Sequence, residues 1–395
     1  MVAALVVAAL ALMFWSLFAA KLTQWRITAP MVVVAAGLAL GSVTRNTIGE
    51  ALNTRVALRA AEIILAVLLF VDATEVKGGP LGKSPATVLR LLLIALPLSL
   101  AGALAFGWWL LPGLSLPVLL VIACVVMPID FAPAAPILRD RRISARLRNA
   151  LNVESGYNDG IVSPLIIFGL ALAGDTAHAK SPLAALAAAG PAAVKAVAVG
   201  LCVGALLAFL VNNAERANLM TAQSKRLALV AAPLLAYAVS VGINGNGFVA
   251  SFVCGFVFHF VRRTTDSRRD LELLDDVSFL LTVTMWLVFG SAAVFALWGG
   301  VDWRMVVFCV AALTVLRILP VLVSLLGSPL SGAERLLVGV LGPRGTTSII
   351  FGLLAFNALA DDAALQVLTA MVVTILGSVV LHGGGSLIIA RGPRP

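Results

Sequence analysis

The sequence predicts an all-α membrane protein of about 13 transmembrane helices, built as two inverted six-helix repeats whose fifth and twelfth helices are discontinuous. Three observations carry this expectation. Of the 395 residues, 61% are hydrophobic and 12% charged, too much apolar surface for one water-soluble core to hide. Continuously apolar stretches recur along the whole chain at the roughly 20 residues that a 30 Å bilayer core requires. Two of those stretches are interrupted at corresponding places, and each interruption carries a charge.

The expected spans are 2–20, 27–43, 59–74, 87–111, 115–138, 147–174, 186–212, 226–243, 247–262, 274–297, 304–327, 334–358 and 363–390. The first lacks the basic leader and small-residue cleavage site of a signal peptide, so it reads as a helix of the folded protein. A barrel is excluded by its own pattern, since its segments would alternate polar and apolar residues over about 10 positions. Connections as short as Asn244 to Asn246 leave no room for a soluble insertion. The chain therefore reads as a single transmembrane domain, residues 1–395: repeat one over about 2–174, a linker helix over about 186–212 and repeat two over about 226–390.

Lys and Arg on the loops orient such a bundle, because cytoplasmic loops hold the excess. Twenty of the 28 basic residues fall on the odd-numbered loops and the C-terminal end, among them Lys21, Lys83, Arg139, Arg141, Arg142, Arg216 and Arg391. The even-numbered loops hold five, Arg45, Arg55, Arg59, Lys180 and Arg304. The expected arrangement is a multi-pass protein of the cell (inner) membrane with its N-terminus outside and its C-terminus in the cytoplasm. The net charge of +9 is then topological and calls for a lipid bilayer, with no nucleic acid as partner.

Charges inside the spans are costly, about 2.5 to 3.5 kcal/mol each at the helix centre, and mark function by default. Several stand out: Asp72 at the end of the third span, Asp130 in the fifth, Glu154 and Asp159 in the sixth, Arg317 in the eleventh and Arg344 in the twelfth. The fifth span contains Pro128, Pro133 and Pro136 around Asp130, which an unbroken helix interior cannot accommodate. The twelfth contains Gly342-Pro343-Arg344-Gly345. Broken helices place partial charges at mid-depth, positive at N-termini and negative at C-termini, and Asp130 and Arg344 are suited to offset them. Such paired breaks point to a transporter with its site between them.

On the sixth helix, residues three and four apart share a face, so Ser155 stacks with Asp159 while Glu154 and Asn158 form the next stripe. Ser155, Asp159 and carbonyls freed by the fifth-helix break could offer oxygen ligands to a hard monovalent cation. A charge as buried as Glu154 persists only when paired, so it is expected to bind a buried Arg.

At these residues the chain resembles the NhaP-type branch of the monovalent cation/proton antiporters, of the sodium/hydrogen exchanger family. The resemblance rests on Leu69-Phe70-Val71-Asp72, on Asp130 in a broken fifth helix, on Glu154-Ser155-Gly156-Tyr157-Asn158-Asp159-Gly160, on Arg317 and on Gly342-Pro343-Arg344-Gly345. It implies that Asp159 binds cation and proton in turn, that Ser155, Asp130, Asp72, Asn158 and the carbonyl of Ile129 complete the site, and that Arg317 holds Glu154. It also implies a homodimer. The family usually has Thr-Asp-Pro in the fifth helix, where this chain has Ile129-Asp130-Phe131; a backbone ligand survives that change and a hydroxyl ligand does not.

The expected activity is thus secondary active exchange of protons for a monovalent cation by alternating access, with Na+ as substrate and K+, or another solute on the same scaffold, as the alternative. Asn158 stands where electrogenic relatives have a second Asp, which implies one-for-one, electroneutral exchange. An enzyme is not expected, since no nucleophile motif, phosphate loop or metal-ligand His pair accompanies the acids, and no cofactor is implied. Cys124, Cys202, Cys254 and Cys309 lie within spans as small apolar residues. The three histidines, His178, His259 and His382, are scattered and read as structural or incidental.

Overall fold

The computed structural model describes residues 2–25, 27–74, 79, 81–134, 136–174, 182–262 and 267–383. The expectations placed on His178 and Lys180 in an outer loop, on the basic residues Arg26, Lys77 and Arg263, and on Arg391 to Pro395 fall outside them. Among the described residues every regular element is helical. Eight helices are long and apolar enough to cross a membrane, and shorter apolar helices stand beside them.

The helices run in order as α1 (Val2–Gln24), α2 (Ala29–Leu52), α3 (Arg55–Thr74), α4 (Pro85–Leu110), α5 (Leu116–Val126) and α6 (Ala145–Ala173). They continue as α7 (Pro182–Arg216), α8 (Ala222–Gly242), α9 (Gly247–Val261) and α10 (Ser267–Leu297). The last are α11 (Trp303–Leu313), α12 (Val315–Ser324), α13 (Gly332–Val340), α14 (Thr346–Ala358) and α15 (Asp361–Ser378).

Both expected breaks are present. The fifth span is helical through α5, extended around Pro128–Phe131, and resumes as a single turn at Ala132–Ala134 and a short helix at Pro136–Arg139. The twelfth span divides into α13 and α14 around Leu341–Gly345. A third break was not legible beforehand: Thr314 (φ −121°, ψ −95°) separates α11 from α12, with neither Gly nor Pro beside it.

Burial sorts the helices into lipid-facing and enclosed ones. On α1, Val2, Leu5 and Leu17 are more than 70% exposed, as suits side chains whose solvent is the bilayer. The half-helices are the opposite: Val121 to Val126 in α5 and Thr346 to Ala355 in α14 are buried on all sides. Irregular backbone at membrane depth is tolerable only when protein encloses it, and these two half-helices form the centre of the largest apolar cluster together with Trp286, Phe289 and Phe308.

Close packing rests on small residues, since van der Waals fit replaces the hydrophobic effect between helices in lipid. Gly37 and Gly290 put α2 and α10 backbone to backbone, and a Cβ on Gly37 would fall 2.9 Å from the Gly290 Cα. The Ser291 hydroxyl seals the crossing by donating to the Gly37 carbonyl (3.1 Å).

Candidate functional site

The two breaks meet. The Asp130 N–H donates to the Pro343 carbonyl (2.8 Å), which ties the extended stretch after α5 to the one before α14. The Asp130 carboxylate then accepts from the backbone N–H of Ala132 (2.7 Å) and of Thr346 (2.6 Å). Thr346 is the first residue of α14, so the acid sits at the positive end of that half-helix. Gly345 must lack a side chain here, because any Cβ would collide with the Asp130 carboxylate.

Arg344 does the converse. It is fully buried, and its guanidinium reaches three carbonyls: Val126 (2.5 Å) at the end of α5, Ala312 (3.2 Å) at the end of α11, and Gly342 just past α13. Each is a helix end with orphan carbonyls and partial negative charge. The unforeseen break at Thr314 therefore has a local reason: it frees the Ala312 carbonyl for Arg344. The Arg344 backbone N–H donates to the Ser378 hydroxyl (2.7 Å), and His382 spans from Ser378 (3.2 Å) to the Val340 carbonyl (3.0 Å).

Glu154 and Arg317 form a buried pair, Nη1 to Oε1 at 2.5 Å with side chains 2% and 3% exposed. The partners are 163 residues apart in sequence and join α6 to α12. Gly342 lets this pair lie against the twelfth-span break, since a Cβ there would stand 3.2 Å from both Arg317 Nε and Arg344 Nη1.

Around Asp159 the polar groups converge from three elements. Ser155 Oγ (3.2 Å) and Asn158 Nδ2 (2.9 Å) both donate to the Ile129 carbonyl, so α6 holds the extended stretch of the fifth span directly. Asp159 is 2% exposed; its Oδ2 accepts from the Thr347 hydroxyl (2.6 Å), while its Oδ1 and the Asn158 Oδ1 are buried without a protein partner. Asp72 is half-buried on α3, and the α3 and α6 backbones meet beside it, with 3.2 Å between its carbonyl and a Cβ built on Gly156.

These residues line one cavity of about 1180 Å³. At its inner end are Asp72, Asp130, Ser155, Asp159, Thr346 and Thr347; towards the ends of α6, α9 and α10 it passes Arg148, His259, Glu272 and Asp275. Glu272, 59% exposed, marks the open end. Asn158 does not line the cavity, and Ile129 reaches the site through its carbonyl alone, its side chain being 1% exposed. Thus Asp72, Asp130, Ser155 and Asp159 share the cavity wall, Asn158 and Ile129 stand immediately behind it, and Glu154, Arg317 and Arg344 lie deeper.

Sequence reasoning missed Thr346, Thr347 and Ser378. The first two had one available signal: adjacent hydroxyls directly after the Gly-Pro-Arg-Gly break stand at a helix N-terminus in the membrane interior. Chemically, the site gathers a buried carboxylate oxygen without a protein partner, hydroxyls and a backbone carbonyl beside the cavity. Among the described residues no cluster of three or more His, Cys, Asp or Glu could hold a resident metal.

A family model described as sodium/hydrogen exchanger, transmembrane, matches residues 5–390. The chain is 27% identical over 387 residues to the K(+)/H(+) antiporter NhaP of Alkalimonas amylolytica, covering 94% of this chain and 64% of that protein. It is 26% identical over 320 residues to a Na(+)/H(+) antiporter of Schizosaccharomyces pombe, covering 76% and 67% respectively. The chain thus spans about two thirds of the length of either relative. Among solved structures, the sodium proton antiporter MjNhaP1 from Methanocaldococcus jannaschii matches with a TM-score of 0.79 at 21% identity, over 98% of this chain and 97% of that one. That match is a likeness of fold.

Proposed function

The chain belongs to the sodium/hydrogen exchanger family, and from that membership we propose that it exchanges protons for a monovalent cation, with Asp159 as the group at which the two compete. One observation carries the assignment: Asp159 is the buried carboxylate that keeps one oxygen unpartnered beside the cavity while its other oxygen is anchored. Asp130 is already engaged by two backbone N–H groups and Glu154 by Arg317. A carboxylate this deep persists only when neutralised, and a proton and a hard cation are alternative ways of neutralising it. Ser155, Asn158 and the Ile129 carbonyl stand beside it as further oxygen ligands.

The architecture in this reading is thirteen membrane crossings in two inverted repeats. The α11–α12 and α13–α14 pairs are each one interrupted crossing, and α7 is the linker. The mutual capping of the two breaks supports it, because half-helices with corresponding places in the two repeats would meet near the midplane. With the C-terminus in the cytoplasm the open end of the cavity is cytoplasmic, so the structure is the inward-facing arm of alternating access.

The test is proton flux in proteoliposomes driven by an imposed gradient of Na+, K+ or Li+. Wild-type protein should couple at least one of these to proton movement, and Asp159→Asn should lose the flux while still inserting and folding. Substantial cation-driven flux in the Asn variant would refute the assignment of Asp159. Na+ is the substrate we assign first; K+ is the second reading, favoured by the name of the Alkalimonas relative, and the cation series separates them.

A further inference from the structure

The hydroxyl of Thr347 is in an unusual position for a helical threonine. Elsewhere in this chain Thr44, Thr284, Thr314 and Thr369 each donate to the carbonyl four residues back, the ordinary outlet for such a hydroxyl in lipid. Thr347 is the second residue of α14, so the carbonyl four residues back lies before the helix begins. That carbonyl, of Pro343, already accepts from the Asp130 N–H. The hydroxyl donates to the Asp159 carboxylate instead, 2.6 Å away, with both residues 2% exposed.

We infer that Thr347 is a further residue of the exchange site, whose hydroxyl anchors one oxygen of Asp159 and so sets the balance between cation and proton at the other. The inference rests on the assignment of Asp159 above. A hydroxyl can only donate to Oδ2 while that oxygen carries no proton, so the bond directs both proton and cation to Oδ1, the oxygen that has no protein partner. It also favours the ionised carboxylate, the form that binds the cation, over the protonated one. The neighbouring Thr346 is engaged differently, since its N–H binds Asp130 and its hydroxyl accepts from the Trp286 indole N–H (3.2 Å). The two threonines therefore tie the start of α14 to both carboxylates and to α10.

Paired substitutions separate the hydroxyl from the space it fills. Thr347→Val keeps the shape and removes the donor; Thr347→Ser keeps the donor and removes the methyl. A hydrogen bond to a charged group is strong enough for its loss to change an apparent affinity about tenfold. In proteoliposome exchange measured across pH, Thr347→Val should raise the apparent KM for the cation about tenfold and move the half-maximal pH upwards by about one unit, while Thr347→Ser should track wild type.

A Val variant with the wild-type KM and pH profile overturns the inference, as does a Ser variant as impaired as Val, which would make the methyl the active feature. Should the Val protein fail to fold by its detergent melting curve, Thr347→Ala carries the same comparison against Ser. Asp159→Asn, run beside them, keeps the two questions apart. Flux surviving in that variant overturns the site itself, whereas a dead Asn variant beside an unaltered Val variant overturns Thr347 alone.

Discussion

Removing either member of the Glu154–Arg317 pair should cost stability that removing both restores. The pair joins α6 to α12 at 2.5 Å, essentially out of reach of water. Truncating one partner leaves the other charge buried without compensation, at about 3 to 5 kcal/mol. The low end applies here, because contact runs through one Nη1–Oε1 bond, and Glu154 Oε2 with Arg317 Nε and Nη2 are already without partners. Glu154→Leu and Arg317→Met should therefore each lose about 3 kcal/mol, a fall in detergent melting temperature of roughly 4 °C. The double variant removes both charges and keeps the volume, so it should melt well above either single variant, with a coupling energy of the order of the single losses. Exchange per folded molecule should fall less than the yield of folded protein. Single variants melting with wild type, or a double variant showing the plain sum of two losses, would refute the pairing as a structural element.

The cavity and its charges lead to two more expected outcomes. Ser155 lines the cavity and Asn158 does not, so Ser155→Cys should react with aqueous thiol reagents at a rate that depends on cation and pH, whereas Asn158→Cys should react slowly throughout; labelling of Ser155→Cys that ignores both conditions would argue for a static pore. In proteoliposomes with the potential clamped by an ionophore for a non-transported ion, the exchange rate should change little, although one charge crossing 100 mV is worth about 2.3 kcal/mol; a steep voltage dependence would refute one-for-one exchange.

What was legible in advance was whatever breaks the rules of the bilayer. Asp130 and Arg344 announce themselves because charge, Pro and Gly coincide in otherwise apolar runs, and each of those residues needs a special backbone or a partner. Arg317 was reachable by the same logic, since a buried Glu requires a cation, although its distance of 163 residues from Glu154 is a fact of the fold. Ser378 and Thr314 were not legible, because a hydroxyl in a membrane helix usually satisfies itself on its own backbone, and for Thr347 the sequence offered its place after the break but not its partner. Only the tertiary structure shows that the Thr347 hydroxyl meets the Asp159 carboxylate instead of a carbonyl of its own segment. The kink at Thr314 has no composition signal for a related reason: the group that benefits from it, Arg344, lies on another helix.

The deeper charges also bear on stoichiometry. Glu154 and Arg317 balance each other in direct contact. Asp130 faces the positive end of α14, and Arg344 faces the negative ends of the helices before each break, so the acid and the base carry opposite charges into opposite fields. Taken together these four side chains sum to zero, and each has its partner within the protein. Asp159 stands outside that balance as a cavity-lining carboxylate with one buried oxygen that has no protein partner. In the exchange proposed above, one positive charge neutralises it, whether proton or monovalent cation, and the neutral complex is then the form that crosses the membrane at least cost. Asn158, beside it, presents an amide to the Ile129 carbonyl and adds no charge of its own. A carboxylate at that position would add a second negative charge beside Asp159 and require a second positive one, which is why exchange by this chain is expected to run one for one.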